Sequence, residues 1–198
     1  MKLYPVFLKL TNKECLVIGG GEVAFRKAKS LLEADALITV ISPELIDKFN
    51  DLIENKKIKY INRKYIAGDL KNYYLVIAAT NSTEVNKKIY NEALKEKVII
   101  NCADDPENSD FYVPSVAQQG DLQIAISTSG KSPLFLKKTR EALEKNFYPE
   151  LQKDIDELDS LRKEIINSTN GNIGLKKQKI NDILIPKIDA ILEKLKLK

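Results

Sequence analysis

Histidine is missing from all 198 residues. Its absence excludes a Ser-His-Asp triad, a Cys-His pair and any imidazole metal ligand. It also removes the one side chain whose unperturbed pKa suits proton transfer near neutral pH. Catalysis must therefore rest on carboxylates, hydroxyls, Lys, Tyr, a helix terminus or a cofactor. Cysteine is scarce. Cys15 and Cys102 make neither a disulfide framework nor a four-thiolate zinc site; both lie in apolar runs and read as small buried hydrophobes. No run approaches about 20 apolar residues and no signal-peptide pattern opens the chain, so a cytoplasmic protein without a membrane span is expected. Excess charge is small as well: 32 Lys+Arg against 28 Asp+Glu leave +4, which does not point to nucleic acid. Internal repeats and low-complexity tracts are also lacking.

What is present is a rhythm. Short apolar runs at Cys15–Ile18, Ala36–Ile41, Ile58–Ile61, Tyr74–Ala79 and Val98–Ala103 alternate with helix-length amphipathic segments. That alternation predicts an α/β fold with a parallel sheet and helices on both faces. The more polar third run suits an edge and the apolar fourth an interior strand. Between the first two runs, Ala24, Ala28, Leu31 and Leu32 share one helix face, and Asp35 follows in a place for a left-handed residue. Asn81 is a candidate cap for the next helix, with Glu84 as its reciprocal partner.

The pattern changes after Asp104. Leu122–Ser127 alternates as a half-exposed strand of a second sheet. Ser132-Pro133 reads as N-cap and first turn of a helix reaching about Phe147. Pro149 marks a boundary, and two helical stretches follow around a polar loop at 167–174, with Pro186 expected to kink the second. The expected divisions are 1–113, 114–148 and 149–198.

Gly19-Gly20-Gly21-Glu22-Val23-Ala24 fits G-x-G-x-x-A between a strand and a helix. In such a turn Gly19 permits the bend, Gly21 lets a pyrophosphate approach, and the helix N-terminus attracts its charge. The alternative is a glycine-rich turn that binds nothing. Ser42 stands where an acidic residue usually holds the adenosine ribose, Glu44 lies two residues on, and no Arg is placed for a 2′-phosphate; NAD is preferred over NADP. Ligands of such sheets bind beyond the carboxyl ends of the strands, which places Gly19–Gly21, Ser42–Glu44, Thr80-Asn81 and 101–105 around one crevice. The simpler roles are helix capping for Asn81 and backbone binding for Asn101.

Asn101-Cys102-Ala103-Asp104-Asp105-Pro106 ends the fifth run with two carboxylates. Asp104 is the better placed to take a proton or meet a metal ion, and an Asx turn before Pro106 is the competing role. Ser127-Thr128-Ser129-Gly130-Lys131-Ser132-Pro133 is no P-loop, because the first glycine of that motif would fall at Ala125. It is a hydroxyl-rich entry to a helix and a candidate anion site, with Lys131, Lys137, Lys138 and Arg140 nearby; an ordinary cap with a solvated basic face is the alternative.

Together these segments resemble the precorrin-2 dehydrogenase/sirohydrochlorin ferrochelatase family, including the N-terminal part of siroheme synthases. The resemblance rests on Tyr4-Pro5-Val6-Phe7-Leu8, Val17 through Ala24 with Arg26-Lys27, and Ala78-Ala79-Thr80-Asn81. It continues through Asn101-Cys102-Ala103-Asp104, Phe111 to Pro114-Ser115, and Ser127 to Pro133, all in family order. It implies an N-terminal Rossmann domain, a central dimerisation region and a helical tail, and NAD-dependent oxidation of precorrin-2 to sirohydrochlorin by a homodimer. Some members also insert ferrous iron, the alternative bifunctional reading. By resemblance Asp104 is the catalytic residue, and Glu22-Val23 and Pro43-Glu44 touch the cofactor. The candidate substrate set is Asn101 with Thr128, Ser129, Gly130, Lys131 and Ser132, suited to an anionic tetrapyrrole. No metal ligands are assigned. Two departures are minor: Thr128 where some members have Ser, and Asp35 where many have Gly. A non-catalytic nucleotide-sensing module is the remaining alternative; such modules usually keep the acidic residue that Ser42 replaces.

Overall fold

A computed structural model describes residues 3–103 and 105–197. Asp104, the expected catalytic residue, lies outside the described residues. The chain divides into two compact units, Met1–Val113 and Pro114–Lys198.

The first unit runs β1 (Glu14–Ile18), α1 (Glu22–Leu32), β2 (Leu37–Ser42), a 3-10 turn (Asp47–Phe49) leading into α2 (Asn50–Glu54), β3 (Ile58–Asn62), β4 (Leu75–Ala78), α3 (Thr83–Glu96) and β5 (Ile99–Cys102). Every pairing is parallel, in the order β3-β2-β1-β4-β5. The polar third run is indeed an edge, and the apolar fourth is an interior strand. Because side chains alternate along a strand, β1 sends Cys15 and Val17 into a core shared with Ala24, Ala28 and Leu31 of α1. Leu16 and Ile18 enter the opposite core with Ile89 and Ala93 of α3. Covering both faces is what makes the strand sequences continuously apolar. The sequence order reverses between β1 and β4, and such a switch point opens a crevice at the carboxyl ends.

Helix ends carry two details. Asp35 is left-handed at φ 57°. The Ala36 N–H donates to Leu31 O and the Asp35 N–H to Leu32 O, so the expected terminator closes α1 as a Schellman turn. The cap of α3 differs from expectation: Ser82, not Asn81, is the N-cap, its hydroxyl accepting from Val85 N. Asn86 of the first turn reaches back to Thr80 and fixes the approach so that Ser82 takes the capping place. Glu84 pairs with Lys88 instead.

The second unit holds an antiparallel pair, β6 (Ser115–Gln119) and β7 (Leu122–Ile126), then α4 (Pro133–Glu144), α5 (Leu151–Ser168), α6 (Ile173–Lys179), a π-helical turn (Ile180–Leu184) and α7 (Ile185–Lys194). β7 is the expected second-sheet strand. β6 escapes a pattern reading because only Ala117 of its five residues is buried. The π-helical turn ends at Leu184, two residues before Pro186. Proline at 186 has no N–H to give the carbonyl of Asp182, and its ring would strike that carbonyl in a regular helix; widening the preceding turn relieves both. Ser132 occupies the N-cap of α4 with Pro133 in the first turn, but its hydroxyl makes no capping bond.

Candidate cofactor site

The glycine turn is wedged between two neighbouring segments. Gly19 N donates to Ile41 O and Ala79 N to Ile18 O, while Ile46 N returns to Gly20 O at 2.9 Å. A β-carbon on Gly19, whose φ is 132°, would lie 2.2 Å from Ala79 O. One on Gly20 would lie 1.8 Å from Glu44 O. These contacts leave room for glycine alone and bring the ends of β1, β2 and β4 together. Gly21 is different: a β-carbon there would meet nothing within 4 Å. It is the N-cap of α1 and no side chain caps the helix. The first-turn N–H groups of a helix have no partner within it, so an open cradle faces a positive helix end. That arrangement fits a dinucleotide pyrophosphate.

The loop after β2 is built by a turn the sequence does not reveal. Ser42 is buried, and its hydroxyl donates to Glu44 O at 2.6 Å. Tyr60, from the edge strand, donates to Ser42 O. Ser42 thus shapes the loop, while Pro43 and Glu44 are exposed beyond it. Glu22 and Val23 open α1 beside the cradle. Thr80, at the end of β4, is held by Asn86: its hydroxyl donates to Asn86 Oδ1 at 2.7 Å and its carbonyl accepts from Asn86 Nδ2. One residue missed by motif reading stands here. Lys48 Nζ lies 2.9 Å from a carboxylate oxygen of Glu22, a pair 26 positions apart that no local pattern signals.

Asn101 is buried at the end of β5, and its amide donates to Phe111 O at 2.8 Å. This is the backbone-binding role, and it folds the chain back after the acidic corner. Ser109 assists: its hydroxyl accepts from Cys102 N and donates to Asp105 O. Asp105 binds Asn108 through both its N–H and its amide. Burial, reinforced by the charges of Asp105 and Asp110, pushes the Cys102 thiol up to about 11, so it stays a neutral core group.

Thr128, Ser129, Gly130, Lys131 and Ser132 belong to the second unit. Their loop is self-closed: Thr128 Oγ1 accepts from Ser132 N, Ser127 Oγ accepts from Ser129 N, and Ser129 and Gly130 both have positive φ. Ser129, Gly130 and Lys131 are exposed. Among the described residues, no group of three or more Cys, Asp or Glu could hold a metal ion.

Strand order, glycine cradle and open helix end define a dinucleotide-binding α/β protein. Residues 6–115 match a family described as putative NAD(P)-binding, and residues 119–146 match the sirohaem biosynthesis protein central segment. Siroheme synthase 3 of Aeromonas hydrophila subsp. hydrophila is 40% identical over 144 residues, 73% of this chain and 31% of that protein. Siroheme synthase 2 of Yersinia enterocolitica is also 40% identical over 144 residues, 73% of this chain and 30% of that protein. The chain thus spans about a third of the length of the curated relatives it matches. Among solved structures, SirC, precorrin-2 dehydrogenase, superposes with a TM-score of 0.73 at 28% identity, covering 99% of this chain and 100% of that one. The chain belongs to the NAD(P)-binding family of sirohaem biosynthesis proteins, with precorrin-2 dehydrogenase and siroheme synthase relatives.

Proposed function

We propose that the chain is an NAD-dependent precorrin-2 dehydrogenase, forming sirohydrochlorin. The observation that carries this reading is the open cradle at Gly21 over an uncapped helix, in a chain similar from end to end to SirC, precorrin-2 dehydrogenase. When bound, the cofactor supplies a hydride acceptor, which asks the protein for orientation more than for its own reactive groups. That requirement suits a chain without histidine. Gly19, Gly21 and the backbone of Glu22 and Val23 hold the pyrophosphate end; Pro43 and Glu44, on the loop shaped by Ser42, hold the ribose; Thr80 borders the crevice. The exposed Glu44 carboxylate repels a 2′-phosphate, favouring NAD over NADP. Asp104 is the catalytic residue, receiving or steering the proton released as the macrocycle loses two electrons. Thr128 to Ser132 and Lys131 meet substrate carboxylates, and Asn101 supports the acidic corner by fixing the returning chain.

The active form is a homodimer joined through residues 114–148, with 149–198 as a helical part. A two-stranded sheet is marginal on its own, and α4 leaves Leu134 and Phe135 69% and 59% exposed. Light scattering should give twice the mass of the chain, and a monomer would contradict this assignment. Among the described residues no helix is long and apolar enough to cross a membrane. The test of function is anaerobic incubation of the protein with precorrin-2 and NAD, following NADH and sirohydrochlorin together.

A further inference from the structure

We propose that Lys48 is a cofactor-binding residue, the counter-charge to the dinucleotide's phosphates, which Glu22 holds beside the crevice until the nucleotide takes over as its partner; the proposal rests on the cofactor reading above. Lys48 sits in the 3-10 turn Asp47–Phe49 that follows the β2 loop, and Glu22 is the first residue of α1. Their ion pair, 2.9 Å long, therefore reaches from the loop at the ribose end to the helix end at the phosphate cradle.

The base of Lys48 is fixed. Its neighbour Phe49 is fully buried and packs edge-on against Phe25 of α1 with ring centroids 5.2 Å apart. Ile46 N is tied to Gly20 O on the other side. The tip, by contrast, is exchangeable. The Lys48 and Glu22 side chains are 58% and 66% exposed, and an ion pair so exposed adds little to stability. Its placement is what matters. A pyrophosphate at the open Gly21 cradle brings negative charge beside the Glu22 carboxylate. The two anions repel each other and compete for the one ammonium. Lysine suits this exchange, being a compact charge on a flexible stem. The Glu22 carboxylate then opposes nucleotide binding while Lys48 favours it, although the two form a pair in the structure.

The opposite signs supply the test. NADH, ADP-ribose and adenosine are titrated calorimetrically into the full chain and into Lys48→Ala and Glu22→Gln. Both changes are at exposed positions, and unchanged melting confirms folding. Lys48→Ala should weaken NADH and ADP-ribose about fivefold, the size of one partly exposed charge-assisted contact. Adenosine, which lacks phosphate, should change less than twofold, roughly the limit of calorimetric resolution. Glu22→Gln should bind NADH as well as the parent or more tightly. A loss smaller than threefold in Lys48→Ala would overturn the proposal. So would a Glu22→Gln variant weakened as much as Lys48→Ala, the result expected if the pair merely straps the loop to the helix. Parent protein that binds no NADH refutes the cofactor reading itself, whereas a binding parent with an indifferent Lys48 refutes only the role of this residue.

Discussion

Adjacent glycines should fail in different ways. In Gly20→Ala the added β-carbon would sit 1.8 Å from Glu44 O and 2.7 Å from Ser42 Oγ. Neither is the loose end of a flexible side chain: Glu44 O is backbone, and Ser42 Oγ is bonded to it. The loop must move by more than 1 Å. Overpacking of this kind costs about 1–3 kcal/mol, and loss of the Ser42–Glu44 and Ile46–Gly20 bonds adds about 0.5–1.5 kcal/mol for each. A total near 4 kcal/mol lowers the melting temperature by roughly 8–16 °C in a chain of this length. In Gly21→Ala the β-carbon meets nothing, and the backbone at φ −89° and ψ −174° accepts alanine. Stability should stay within about 1 kcal/mol of the parent, the stiffer unfolded chain offsetting alanine's poorer fit at an N-cap. NADH affinity should nevertheless fall, because the methyl group enters the cradle. Calorimetric melting and NADH titration on both variants decide the matter. Wild-type stability in Gly20→Ala, or wild-type NADH affinity in Gly21→Ala, would refute the geometry assigned to this turn.

Further predictions concern the frame. Asp69, whose carboxylate pairs bidentately with Arg63 at 2.7 Å, is held below the usual carboxylate range: burial pushes its pKa up, but the Arg63 hydrogen bonds, the Ile66 N–H and the Arg63 charge outweigh burial. A depressed folded pKa gives stability that is present above the unfolded value of about 3.9 and disappears as pH falls through the folded value. Asp69→Asn should thus destabilise the protein at neutral pH and flatten the acid limb of its stability profile below about pH 4, measured by denaturant unfolding; an unchanged acid limb would contradict the assignment. Ser82→Ala should cost about 1 kcal/mol through the lost cap, whereas Asn81→Ala stays within about 0.5 kcal/mol, and equal losses in thermal melts would contradict the capping assignment. Ile89→Ala, at a fully buried site of the α3-side core, should cost about 2–5 kcal/mol in urea titrations.

The sheet was legible because β1, β2, β4 and β5 are buried on both faces and so appear as predominantly apolar runs, with Thr39 and Asn101 among them, alternating with amphipathic helices. The glycine turn was legible because Gly19 and Gly20 meet backbone requirements that only glycine meets. Side-chain assignments were less so. Asn81 and Ser82 are adjacent good caps, and the choice depends on Asn86 binding Thr80 from within the helix. Ser42 and Asn101 carry polar groups suited to ligands, yet each is buried and bonded to backbone nearby. The Glu22–Lys48 pair requires β2 and its loop to fold back across the turn, and only the tertiary structure brings its members together.

The proposed reaction is dehydrogenation at Asp104 with NAD as hydride acceptor. Its most direct measurement is anaerobic NADH formation from precorrin-2 by the purified protein and by Asp104→Ala. The parent should form one NADH for each sirohydrochlorin, and Asp104→Ala should lose at least about 100-fold in kcat with NADH affinity retained, the scale of a lost acid–base group. No NADH from the parent would contradict the function, and full activity in Asp104→Ala would contradict the catalytic role of that residue.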